Sequence, residues 1–196
     1  MSIPSRVEAA AILRGLQPSE RLLTHSAAVA EVCAFICAAL ARRGVVIDRA
    51  LAEAAALLHD IDKALPADDP LRSMGHGAAG AEWMRRNGHP ELAAAIAHHP
   101  VTTLADPRGY AAWAEEAELE GRVVAYADKR ATQDLVTLDQ RFERWYRRYP
   151  ASPLLRVTHE RARTLEKEVC AAAGIQPEAV RRLAWVDDAL SAAAAA

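Results

Sequence analysis

The sequence has no excess of charge of either sign: across 196 residues the formal net charge is −2, with acidic and basic side chains interspersed. Nothing in that balance points to a nucleic-acid or membrane-surface partner. Cysteine is scarce, with only Cys33, Cys37 and Cys170. An odd count without a secretory signal excludes a disulfide framework and points to reduced thiols in a cytoplasm. Cys33 and Cys37 lie four apart on one expected helix, and no nearby Cys or His completes a zinc set. They read as small apolar core residues. No apolar run is expected to be long enough to cross a bilayer. The start, "MSIPSRVEAA", lacks the charged region and apolar core of a signal peptide. Repeats, heptad arrays and long linkers are missing, as are segments of alternating apolar and polar residues, so no meaningful sheet is expected.

What the chain does have is helix-forming composition. Hydrophobic residues make up 52%, mostly Ala, Leu and Val, with Arg and Glu prominent among the rest. The length fits a single domain, 1–196, with a sizeable core. Periodicity and breakers predict helices over about 5–15, 19–43, 48–60, 76–87, 90–99, 111–132, 136–149, 152–173 and 177–190. Ser19 and Asp48 are the expected caps, Gly88-His89-Pro90 and Pro150 clear breaks, and the terminal alanines are expected to fray. The fold class is all-α, a compact orthogonal bundle of about eight helices, with the last helices packed on a core of about residues 20–135.

Against this background "LLHDIDK", residues 57–63, stands out. An apolar, alanine-rich helix delivers His59, Asp60, Asp62 and Lys63 to its inner end, where uncompensated charge is costly. Other helices repeat the pattern. His25 lies between Leu22 and Val29 on the apolar stripe of 19–43, and His99 follows Leu92 and Ile96. Asp128 shares a stripe with Val124, and His76 opens a helix on the face of Gly80 and Trp83. A single inward histidine is ordinarily a hydrogen-bonded core residue. Six such groups, His25, His59, Asp60, His76, His99 and Asp128, would each need a separate partner. One shared metal cluster satisfies them together, and imidazole with carboxylate suits iron, manganese or zinc.

The order of these residues resembles the HD-domain phosphohydrolase superfamily. The resemblance rests on His25 in "LLTHSAAVAEV", His59-Asp60 in "AALLHDIDK" and Asp128 in "VVAYADKR", and covers about residues 20–135. His76 in "HGAAGA" and His99 in "AIAHH" are similar to the extra histidines of two-metal branches, most of all the branch that cleaves diadenosine tetraphosphate symmetrically. The resemblance implies that His25, His59, Asp60 and Asp128 hold one ion. Asp60 would bridge to a second, held by His76 and His99. His98 joins them only if the helix loosens before Pro100. Two departures are informative. Cyclic-dinucleotide phosphodiesterases carry Gly-Tyr-Pro after their histidine pair, whereas this chain has Gly109-Tyr110-Ala111. Alarmone hydrolases carry Glu-Asp soon after the His-Asp pair, and here Ile61-Asp62-Lys63 follows. The "YADKR…LDQRFERW" stretch looks like a separate bacterial group of HD proteins.

The implied activity is metal-dependent hydrolysis of a phosphate ester or anhydride of a nucleotide by a metal-bridging hydroxide, with Asp60 as the bridging carboxylate. A cyclic-dinucleotide phosphodiesterase, or a non-catalytic nucleotide-sensing module of the same fold, is the rival. Lys63, Lys129 and Arg130 are candidate phosphate contacts, with solvated surface charge as the alternative for each. Asp62 either hydrogen-bonds a ligating histidine or pairs with Lys63 at the surface. The aromatic residues of "RFERWYRRY", Phe142, Trp145 and Tyr149, have helical spacing and are expected to pack rather than to stack on nucleic acid. His89, in a turn, and His159, on a polar helix face, are expected to stand apart. The expected partner is a small phosphorylated molecule, with a homodimer left open.

Overall fold

In a computed structural model the chain is described over residues 3–195. Among the described residues it forms eleven α-helices. These are α1 (Arg6–Gly15), α2 (Glu20–Arg42), α3 (Arg49–Leu58), α4 (Ala78–Arg86), α5 (Ala93–His98), α6 (Val101–Ala105), α7 (Pro107–Glu116), α8 (Leu119–Lys129), α9 (Leu138–Arg148), α10 (Leu155–Ala173) and α11 (Val186–Ala195). No strand occurs among them, and a single antiparallel bridge joins Ala131 to Leu135. The fold is all-helical, as the periodicity predicts.

Starts follow the local signals. Ser5 and Glu8 form a capping box on α1, Thr137 and Gln140 one on α9, while Ser19 and Asp48 accept from the third residues of α2 and α3. Ends explain why there are more helices than about eight. The expected helix over 111–132 is two, because Ala117 and Glu118 are both extended without a Gly or Pro to announce it. The segment expected at 177–190 is a short 3-10 turn at Pro177–Ala179 and then α11. The terminal alanines, expected to fray, continue α11 to Ala195. α3 stops at Leu58, and a 3-10 turn over Ile61–Ala64 follows His59 and Asp60.

The core is organised around α2, which packs against α3, α8, α10 and α11. Contrary to the expectation that no segment is apolar and long enough to cross a bilayer, α2 passes that test, with a mean hydropathy of 1.7 over an 18-residue window. Here 83% of that window is buried, so neighbouring helices cover the apolar surface. Val32, Ile36, Leu40, Leu57 and Leu58 are fully buried. Each contributes about 1.5–3 kcal/mol by leaving water. Cys33 and Cys37 are free and buried in the same core. α10 packs on α8 and α2, and α11 on α1 and α2, so the last helices close over the framework that carries α3 and α8.

Candidate metal centre

Five segments deliver the predicted side chains to one place. α2 carries His25 near its first turns, and α8 carries Asp128 near its last. His59 and His99 each occupy the position closing a helix, α3 and α5, and use the same local device. The ring Nδ1 meets the carbonyl three residues back, at Ala56 (2.8 Å) and Ile96 (2.6 Å). His76 lies between Gly75 and Gly77, at φ 85° and 83°, which L side chains rarely adopt. A Cβ on Gly77 would also lie 2.7 Å from the carbonyl oxygen of Ala97. These glycines let the chain reverse into α4 against α5 and bring His76 over the site.

The side chains form two sets sharing one carboxylate. Around Asp60 Oδ2 stand the Nε2 atoms of His25 (3.4 Å) and His59 (3.5 Å). Asp128 Oδ1 lies 3.3 and 3.7 Å from the same two nitrogens. Around Asp60 Oδ1 stand Nε2 of His76 (3.2 Å) and of His99 (3.4 Å). The His25–His59 and His76–His99 Nε2 pairs are each 3.2 Å apart.

Each ring is fixed from behind. Nδ1 of His25 donates to the Thr132 carbonyl (2.7 Å) and that of His76 to Asp62 Oδ2 (2.9 Å). With Nδ1 committed as donor on all four rings, the Nε2 lone pairs converge. Two acceptor nitrogens at 3.2 Å need a proton or a cation between them. Asp60 Oδ1 is buried and makes no hydrogen bond. Groups of His25, His59 and Asp128, and of His59, Asp60 and His99, could each hold a metal ion, as could Asp60 with Asp62 and His76. Nitrogen and carboxylate donors with an orphaned oxygen between the sets fit divalent cations.

Electrostatics agree. Burial opposes ionisation of Asp60, yet His59, His76 and His99 hold it well below the ordinary carboxylate range. Burial likewise opposes Asp128, and His25, Lys129 and Arg141 override it. Burial would lower His76, but Asp60 and Asp62 raise it to about 9. His25 also rises against burial, through Asp128 and Asp60. His99 is pushed down to about 4, mainly by burial. Carboxylates held as anions beside His25 and His76, whose proton affinity they raise, present negative charge that a cation could take up in place of protons.

The HD domain family model matches residues 22–133, more than half of the chain. The chain belongs to the HD domain family. No curated protein and no solved structure matches it. His25, His59, Asp60, His76, His99 and Asp128 all lie inside the matched HD domain region.

Three sequence candidates do not face this HD site. His98 is exposed and lines a different cleft with Trp113 and Glu116. α5 stays helical to its end, so consecutive side chains diverge by about 100° and only His99 turns inward. Lys129 is fully buried, not on the phosphate side. Its Nζ donates to the carbonyls of His99 (2.7 Å) and Ala125 (3.0 Å) and lies 3.6 Å from Asp128. It therefore ties α8 to the end of α5. Arg130 is also buried, and joins α8 to Val136, Glu166 and Pro177. Lys63 does reach the rim: half-exposed, it places Nζ 2.6 Å from Asp60 Oδ2. Asp62 takes the role of histidine partner rather than a surface pair with Lys63.

Above the HD centre opens a cleft of about 440 Å³, lined in part by His25, Asp60, Lys63, Thr132, Arg141 and Trp145. Arg21, Arg144 and Arg148 also line it. Sequence reasoning missed these arginines, although residues 141, 144 and 148 have helical spacing that places them on one face of α9. Phe142 packs as expected, whereas Trp145 is only half-buried and Tyr149 is exposed. His159 stays away from the centre as expected but is buried, stacked on Phe142 and 3.0 Å from Asp139, rather than on a polar face.

Proposed function

We propose that this protein is a metal-dependent phosphohydrolase acting on a nucleotide. The observation that carries the reading is the division of Asp60. Each of its buried oxygens faces a separate pair of imidazole nitrogens, and Asp128 adds a second carboxylate to one set. His25, His59, Asp60 and Asp128 would hold one divalent ion. Asp60, His76 and His99 would hold another, with iron, manganese and zinc the metals suited to these donors. Two such ions supply Lewis-acid charge to a phosphoryl group and lower the pKa of water.

The chain's own residues prepare that chemistry. Backbone carbonyls and Asp62 hold each ring in the tautomer that presents Nε2. Lys63, beside Asp60 yet half-exposed, has a flexible stem that can turn its ammonium toward a bound phosphate. The HD domain match supports the phosphohydrolase class. The resemblance of the His76 and His99 motifs makes diadenosine tetraphosphate the first specific substrate to assay.

The test is a nucleotide panel, with dinucleoside polyphosphates and cyclic dinucleotides included, assayed with iron(II), manganese and zinc. Hydrolysis is expected in wild type, lost in His59→Ala and Asp60→Ala, and kept in His159→Ala. A protein that neither carries nor takes up any of these metals would overturn the reading, as would wild-type turnover in His59→Ala.

A further inference from the structure

We infer that the arginine face of α9 is a binding site for a linear chain of phosphates leading away from the metal centre, so that the substrate is a polyphosphate rather than a phosphomonoester. The inference rests on the phosphohydrolase reading for where the chain ends, but on separate residues. The HD domain match stops at residue 133, and α9 begins at Leu138.

Charge is distributed unequally in the cleft. Its lining brings together Arg21, Lys63, Arg141, Arg144 and Arg148, while Asp60 is the one carboxylate among the lining residues. Outside the cleft, Arg6 and Arg49 pair with Glu53, Arg122 with Glu168 and Arg182 with Glu31, while others, Arg108 and Arg156 among them, stand singly on the surface rather than gathered in one cleft. Among the described residues, Arg21, Arg144 and Arg148 have no carboxylate within ion-pair distance, and the side chain of Arg144 donates only to the Thr132 hydroxyl (3.2 Å). Arg141 stands nearest the metal residues, with Nη2 3.7 Å from Asp128 Oδ1. Its Nε is shielded from water and has no hydrogen-bond partner. Solvated surface charge describes Arg148 well enough, but it does not account for a buried, unpartnered guanidinium N–H. Lys63 and Arg141 have Asp60 and Asp128 beside them, but Arg21, Arg144 and Arg148 add three cations to the same cleft without anions, which raises the energy of the free protein, and an anionic ligand relieves that.

Geometry sets the ligand's shape. Residues 141 and 148 are seven apart on α9, about 10 Å along the axis. Arg141, at one end of the row, is 3.7 Å from Asp128, and Arg148 lies about two helical turns from it. A single phosphoryl group beside Asp128 is too short to span the row, whereas a chain of three or more can run along it, its oxygens meeting successive guanidinium forks. The cleft's volume, about 440 Å³, suits a small molecule.

The experiment is calorimetric titration of the metal-loaded, full-length protein with inorganic tripolyphosphate and with orthophosphate, metal content being measured before and after. Wild type should bind tripolyphosphate roughly tenfold more tightly or better. The double variant Arg144→Ala/Arg148→Ala should lose that preference. Arg108→Ala/Arg156→Ala removes the same charge at exposed positions outside the cleft and should retain it. Equal binding of the two anions, an unchanged preference in the first variant, or equal loss in the control would overturn the inference. Turnover separates the two readings. A protein that hydrolyses phosphomonoesters with no polyphosphate preference refutes the arginine site alone. One that prefers tripolyphosphate but hydrolyses no ester or anhydride with any metal refutes the hydrolase reading and leaves the site standing.

Discussion

Behind every imidazole of the His-Asp centre stands a hydrogen-bond acceptor, whereas Arg144 and Arg148 face the same cleft with no carboxylate within reach. The first region is fixed before any ligand arrives: rings, tautomers and carboxylates are set by α2, α3, α5 and α8 and, for His76, by the glycine-flanked turn and Asp62. The second is a set of long, mobile side chains on one helix. A metal site needs its donors preorganised, since misplaced ligands lose affinity, while a flexible polyanion can be met by side chains that adjust. The two regions should therefore respond differently to substitution.

The largest effect is expected at the shared carboxylate. Asp60→Asn keeps the shape of the side chain but removes the charge both sets use, and should abolish both metal content by elemental analysis and turnover. Retention of both ions would break the contrast, because the centre would then not depend on its bridge. Asp62→Ala leaves the donors in place and frees the His76 ring. It should weaken one ion by about 10–100-fold in a chelator competition while sparing the other. Equal loss of both would mean that the two sets are not separable.

Proton competition sharpens the same division. His76, raised to about 9 by the carboxylates around it, is protonated at neutral pH in the metal-free chain. A metal must displace that proton, so affinity at its set should fall as pH falls below about 9, by up to roughly tenfold per unit. Titrations in buffers of different ionisation enthalpy would report the released proton. Affinity independent of pH between 6 and 9 would contradict it.

The two lysines test packing against function. Lys129→Met leaves the His99 carbonyl and Asp128 without their buried donor and should cost about 1–3 kcal/mol in urea unfolding. Lys63→Met in metal-loaded protein should change unfolding by less than about 0.5 kcal/mol while lowering turnover. The smallest effect is expected from His98→Ala, which should leave metal content unchanged. Lost metal in that variant would return His98 to the ligand set.

Helical periodicity points His25, His76, His99 and Asp128 inward on stripes they share with apolar residues and puts His59 and Asp60 at the inner end of a helix, and the six side chains do lie together. It failed for Lys129 and Arg130. On a helix covered on several sides, a charged residue next to a ligand can turn toward solvent or toward another helix's carbonyls. Which occurs depends on α5, α10 and the Pro177 turn, remote in sequence. The α9 arginines were hidden for the opposite reason. Their spacing is readable, but nothing local says that the face they share looks into a cleft. The break at Ala117–Glu118 carries no Gly or Pro, so only the packed fold reveals it.

The two metal sets also differ in what supports them. His25, His59 and Asp128 come from α2, α3 and α8, helices that pack on one another, whereas His76 hangs on a glycine-flanked turn with its side chain 36% exposed. The set that includes His76 can therefore be undone by loosening one loop, while the other lasts as long as the three helices stay together. On heating, the ions should leave in sequence, the His76 ion ahead of cooperative melting and its neighbour along with it.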